Sequence, residues 1–165
     1  MKTFIFDLDH TVIDSSHRQL TKADGSLDLA HWIENNTPEK IAADSLLPLA
    51  DLMRDRIHDS GSPFELSCDV IICTARVMGE HDYQFLKDHG LFVPVILSRP
   101  IGDNSPDWML KEKLLRAYAR TTGRSWARFC RTAEMFDDNK HVLKMVDYYG
   151  MAAYNAISLN KEMAA

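Results

Sequence analysis

The stretch TFIFDLDHT, Thr3 to Thr11, decides how this chain is read. An apolar run stops abruptly at two acids. Thr3 to Asp9 has the length and character of one buried strand. A strand that is apolar on both faces belongs inside a parallel sheet. Asp7 and Asp9 then stand at its carboxyl end, where ligands bind in open α/β sheets.

Working outward, the same alternation recurs. Asp44 to about His58 reads as a helix, with Asp44 or Ser45 as cap, Pro48 in the first turn, and Leu49, Leu52, Met53 and Ile57 at helical spacing. DVIICT, Asp69 to Thr74, is a second strand, and Glu80 to Asp88 a helix ending at Gly90. Val93 to Leu97 is a third strand. Ser105-Pro106-Asp107 opens a helix continued by Leu110, Leu114, Leu115 and Tyr118. Thr132 to Asp137 is a fourth strand, Val142, Leu143 and Val146 mark another helix, and Ala152 to Ile157 is a fifth strand. The pattern predicts an α/β fold: a doubly wound parallel sheet of about five strands with helices on both faces. The 165 residues fit a single domain, 1–165. Residues 14–41 hold Gly25, Asn35, Asn36 and Pro38 and are the least regular. They are expected to form a flap with one short helix around His31 to Glu34. The span before the second strand leaves no room for a large cap domain.

Composition limits the function. The apolar fraction of 45% and charged fraction of 26% are those of a globular domain. A net charge of −5 argues against binding along an extended nucleic-acid duplex, since such affinity comes from neutralising phosphates. No apolar run is long enough for a membrane span. The N-terminal apolar run is broken by Asp7 and Asp9, unlike a signal peptide. Cys68, Cys73 and Cys130 show neither zinc spacing nor an even count. A cytoplasmic protein is expected.

Three strands end in chemically useful groups: Asp7 and Asp9, Thr74 and Arg76, and Asp137 and Asp138. Carboxylates gathered at one sheet edge need a cation or a shared proton. Mg²⁺ suits them, because it takes one or two carboxylates and completes its shell with water and phosphate oxygens. A carboxylate can attack phosphorus, and a second can protonate the leaving oxygen and then activate water. A Thr and a Lys can hold the transferring phosphoryl group.

FIFDLDHT, ICTAR, the lysine of DWMLK and MFDDNK resemble the four motifs of the haloacid dehalogenase (HAD) superfamily of phosphatases, over Met1 to about Ala156. Within it the chain is most similar to the phosphatase domain of phage-type polynucleotide kinase/3′-phosphatases. Arg18 stands where that group has an arginine, and RPIGDNSPDWMLK, Arg99 to Lys111, looks like its link into the lysine helix. The resemblance implies Asp7 as nucleophile and Asp9 as acid/base. It implies Thr74 and Lys111 on the phosphoryl group, and Asp7, Asp9, Asp137 and Asp138 around Mg²⁺, with Asp9 offering its backbone carbonyl. Thr11, Arg18, Arg76 and Asp107 are implied in substrate contact or in ordering the site. Three features depart from the pattern: His10 replaces the usual glycine, Ser105 stands where an arginine is common, and no GxxxxGK[ST] kinase motif is present.

Several residues have plainer readings. Lys113 competes with Lys111 but points elsewhere on the same helix. Cys73 adjoins Thr74 yet sits in a buried strand, where it acts as a small apolar residue. Trp32 and Trp108 could stack on a base, but packing is the better explanation of each. Lys140 and His141 read as helix surface. The expected activity is a Mg²⁺-dependent phosphomonoesterase acting on nucleotides or 3′-phosphorylated nucleic-acid ends. The alternatives are a 5′-nucleotidase or general small-molecule phosphatase, and a catalytically silent binding module on the same scaffold.

Overall fold

The structure, a computed structural model, describes residues 1–20, 22–23, 28–61 and 68–165. The expected loop at Gly25 lies outside them. A five-stranded parallel sheet forms the centre. Its strands are β1 (Lys2–Phe6), β4 (Cys68–Cys73), β5 (Ile96–Leu97), β6 (Ala133–Asp137) and β7 (Ala152–Asn155), in the order β5-β4-β1-β6-β7. A separate two-stranded antiparallel ribbon pairs β2 (Ile13–Asp14), which follows the central strand in the chain, with β3 (Ser45–Leu46).

The first strand is the middle one. Chain connections leave it toward β4 on one side and reach β6 on the other, so its carboxyl end is the topological switch point of the sheet. Register runs Phe6 beside Phe136 and Phe136 beside Tyr154, and the three rings stack at 4.6 Å and 4.9 Å across the strands. This ladder fixes β1 against β6, and with it the relative heights of Asp7 and Asp137. The expected strand Val93–Leu97 shortens to Ile96–Leu97, because Pro94 has no N–H for the ladder.

Both faces of the sheet are covered. On one, α3 (Leu49–Ser60) and α4 (Glu80–Asp88) pack with α8 (Ala156–Met163) on a core that includes Phe6, Leu49, Met53, Ile72 and Phe85. On the other, α5 (Asp107–Thr121), α6 (Trp126–Arg131) and α7 (Lys140–Tyr148) cover Ile5, Ile71, Cys73, Leu115, Phe129, Met135 and Val146. The flap contributes α1 (Leu29–Glu34), capped by Asp28, and α2 (Pro38–Ala42), capped by Thr37. Among the described residues there is no large cap domain.

Three expectations need correction. The helix read from Asp44 begins at Leu49, because Ser45–Leu46 pair with the chain leaving β1, and Asp44 is not a cap. The last strand stops at Asn155, whose side chain caps α8 by accepting from Ser158 N. Among the described residues, the span read as a flap holds a 3-10 turn, Ser16–Arg18, and two short α-helices rather than one.

The last helix is tied to the site by one residue. The buried Asn160 donates from Nδ2 to the Thr11 carbonyl at 2.9 Å and accepts from Leu49 N at 2.8 Å. Replacing it by Ala orphans both backbone groups. Each unsatisfied buried group costs about 1–3 kcal/mol, so N160A is expected to lower the unfolding free energy in urea by about 2–4 kcal/mol. An unchanged midpoint would show that the tie carries no stability.

Candidate active site

The central strand aims Asp7 into the crevice at the switch point. Asp7 is 5% exposed. Lys111 reaches it from the first turns of α5, a helix whose inner face buries Leu110, Lys111, Leu115 and Ala119 together. Its Nζ donates to Asp137 Oδ2 at 2.7 Å and lies 2.9 Å from Asp7 Oδ1. One ammonium thus bridges the ends of β1 and β6. Lys113 points outward, its side chain 74% exposed near Asp103.

Oxygens of Asp7, Asp137 and Asp138 lie within 4.8 Å of one another. Asp137 is further fixed by accepting from Asn139 N at 2.9 Å. Three carboxylates face one ammonium in a dry site, and their protonation reflects that imbalance. Burial, opposed by Lys111 and reinforced by the neighbouring acids, raises Asp7 to about 7. Burial and the Asp7 charge raise Asp138 to about 6. Burial likewise raises Asp137 against the pull of Lys111. The donor set, all hard oxygen and short of positive charge, fits a divalent cation such as Mg²⁺.

The Asp9 side chain turns away from this group. It accepts from Arg76 Nη2 at 2.6 Å, Arg76 Nε at 3.2 Å and Ser15 Oγ at 2.5 Å. Burial pushes its carboxyl up, but Arg76 and Ser15 outweigh that and hold it below the usual carboxylate range. Thr74, fully buried at the end of β4, accepts from Arg76 N at 3.1 Å and lines the same strand ends. The thiol of Cys73 is pushed up to about 12 by burial, which leaves it a packing residue.

Arg18, Arg76 and Thr11, expected in substrate contact or in ordering the site, are all buried. Arg18 is 1% exposed; its Nε and Nη2 donate to Asp44 at 2.8 and 2.7 Å and its Nη1 to Asn36 at 3.0 Å. Its fork is filled by a carboxylate of the chain itself, which ties residues 14–41 to Asp44. Arg76 is equally committed, to Asp9, to Asp82 in the first turn of α4 at 2.6 Å, and to Asp44 at 3.6 Å. Both guanidiniums lie over the buried Trp32 ring, at 4.2 and 5.4 Å from its centroid, which makes Trp32 a packing residue. Thr11 is fully buried and its hydroxyl finds no partner among the described residues. Asp107 stays partly exposed, receiving Arg99 Nη2 at 2.7 Å and Asn139 Nδ2 at 3.5 Å. Trp108 beside it is 39% exposed.

Sequence reasoning missed Asp44, Asp82, Arg99, Ser15 and Gln19. Arg99 ties the loop before α5 together, donating to the carbonyls of Ala75, Asp103 and Ser105 and to Asp107. This places Lys111. The one available signal was RP in RPIGDN, read only as part of a resemblance. His10, in the usual glycine position, keeps the left-handed turn that glycine would adopt, with φ of 56°. The Leu8 carbonyl there accepts from Thr11, Val12 and Ile13 N, which forces the reversal.

The fold is HAD-like. It belongs to the family described as Bacteriophage T5 5′-deoxynucleotidase, which matches residues 1–165. A 5′-deoxynucleotidase of Escherichia phage T5 is 31% identical over 153 residues, 91% of this chain and 53% of that protein. The chain therefore spans about half the length of this relative. Among solved structures, a chain of the Pnkp1/Rnl/Hen1 RNA repair complex is similar with a TM-score of 0.60 and 17% identity, over 94% of this chain and 42% of its own. A HAD-like hydrolase from Streptococcus pneumoniae gives 0.59 and 12% identity over 98% and 91%. A HAD-superfamily hydrolase from Geobacter sulfurreducens gives 0.60 and 13% over 93% and 88%. At these identities the likeness is one of fold.

The flap anchor can be tested without substrate. Asp44→Ala would leave two buried guanidiniums short of a partner, and breaking a buried pair costs about 3–5 kcal/mol. Urea unfolding is expected to show a loss in that range. A loss below about 1 kcal/mol would mean that the pair behaves like a surface ion pair.

Proposed function

We propose that this protein is a Mg²⁺-dependent phosphatase that hydrolyses deoxynucleoside 5′-monophosphates through an aspartyl-phosphate on Asp7. The observation that carries this reading is the buried Lys111 bridge between Asp7 and Asp137 at the end of the central strand, with Asp138 completing a three-carboxylate cluster. The family match supports a nucleotide as substrate. A site with no large lid among the described residues admits a substrate of that size.

Asp7, Asp137 and Asp138 would hold the ion, with the Asp9 backbone carbonyl. Bound there, magnesium would neutralise the carboxylates and the substrate's phosphate oxygens. Asp7 attacks phosphorus and the bond to the 5′ oxygen breaks. Lys111 and the Thr74 hydroxyl hold the phosphoryl oxygens as charge shifts between them. The leaving oxygen takes a proton from Asp9. Water then attacks the aspartyl-phosphate, gives its proton back to Asp9, and releases phosphate with Asp7 restored. Arg76 and Ser15 keep Asp9 ionised, the form the second step needs. A phosphate dianion arriving beside it favours the protonated form required in the first. Burial that raises Asp7 to about 7 is offset once a cation joins Lys111. The three free cysteines fit a reducing cytoplasmic setting. The complete set of reacting groups argues against a silent binding module.

The test is phosphate release from a panel: 5′- and 3′-deoxynucleotides, 3′-phosphorylated oligonucleotides and p-nitrophenyl phosphate, with Mg²⁺ or EDTA. Release from 5′-deoxynucleotides is expected with Mg²⁺ alone, and Asp7→Asn is expected to lower it by about 10⁴-fold or more. Preference for 3′-phosphorylated ends would replace the substrate assignment. Release in EDTA, or by Asp7→Asn, would contradict the mechanism.

A further inference from the structure

His10 is the only non-glycine residue with positive φ among the described residues, at 56°. Backbone strain retained beside reacting groups is a reason to look for what it supports. The His10 side chain lies at the rim of the site, half-buried, and its Nε2 is 2.7 Å from Gln19 Oε1. Gln19 Nε2 in turn donates to Ser15 Oγ at 3.0 Å. Ser15 is fully buried, and its hydroxyl donates to Asp9 Oδ1 at 2.5 Å.

The directions of these bonds are mutually fixed. A carboxylate only accepts, so Ser15 spends its single proton on Asp9. Its lone pair therefore receives the Gln19 amide N–H. That leaves the Gln19 carbonyl oxygen facing the ring, and an oxygen there requires His10 to carry its proton on Nε2. Every donor points toward Asp9, and each link has one orientation. Arg76 approaches the same carboxylate through two nitrogens. With Arg76 alone the carboxylate could still slide along the guanidinium edge; the Ser15 hydroxyl removes that freedom.

We propose that His10, Gln19 and Ser15 form a chain of positioning residues that aims the Asp9 carboxylate for proton transfer to the leaving nucleoside, and that this is what the strained turn at His10 is kept for. It rests on the phosphatase reading and extends it. The amide in the middle does not pass protons on, so the chain orients and does not conduct. A glycine at position 10 would relax the turn and cut the chain at its outer end. Leucine at 19 would cut it in the middle, and alanine at 15 at its inner end.

The readout is the dependence on leaving group. A deoxynucleoside alkoxide needs a proton to depart, whereas p-nitrophenolate does not. His10→Gly, Gln19→Leu and Ser15→Ala are each expected to lower kcat/KM for 5′-deoxynucleotides by about tenfold or more, a fraction of what general acid catalysis contributes. For p-nitrophenyl phosphate kcat/KM should move less than about threefold. His10→Gly is also expected to raise the thermal midpoint, since it removes strain. A purely structural role would lower the midpoint and both rates together, and that result overturns the inference. Unchanged nucleotide turnover in His10→Gly and Gln19→Leu overturns it as well. Wild-type protein that releases phosphate from neither substrate removes the phosphatase reading itself, and this inference with it.

Discussion

One buried ammonium organises this molecule. Lys111 Nζ sits between Asp7 and Asp137, carboxylates carried by neighbouring strands, and has no exposure to speak of. A lone charge in such a place would be prohibitively costly, and so would the two carboxylates without it. The sheet must therefore hold β1 and β6 in one register, and α5 must begin where its first turns can reach between them. The Phe6–Phe136–Tyr154 stack meets the first demand, and the Arg99 ties to the loop before α5 meet the second.

A second buried network stands on the other side of Asp9. Arg76 and Arg18 share Asp44, Arg76 also takes Asp82, and Trp32 lies under both guanidiniums. Here charge is balanced by the chain alone, so these arginines are complete without a ligand. The Asp7 group is the reverse case: three carboxylates and one ammonium, with all three acids raised by burial and mutual repulsion. The difference separates the groups that build the site from those left to react. It also links residues 14–41 to the acid cluster, because Asp44 holds Arg18, which in turn donates to Asn36, and touches the arginine that grips Asp9.

Much of this was legible in the sequence. The DVIICT strand and the acids after the fourth strand appear at their expected places, because buried parallel strands write themselves as continuous apolar runs, while the first strand, expected over Thr3 to Asp9, already ends at Phe6. Lys111 could be chosen over Lys113 by helix spacing. The roles of Arg18 and Arg76 were not legible, since their partner Asp44 lies far along the chain and read locally as a helix cap. The side chain of Asp9 shares a motif with Asp7 but is held by Ser15 and Arg76, partners that the local pattern did not show. Asn160 and α8 fell in a stretch whose local pattern continued the last strand until Asn155 capped it. Long-range side-chain pairing, not element type, is what the linear pattern left out.

The central claim is that Asp7 becomes phosphorylated, and it can be read directly. The protein would be mixed with a 5′-deoxynucleotide and Mg²⁺, quenched in acid during turnover, and mapped by peptide mass. A single phosphoryl increment on the peptide holding Asp7, accumulating further in Asp9→Asn, is the predicted result. Turnover with no phosphoryl group on that peptide at any quench time, or with the increment on another residue, would contradict it.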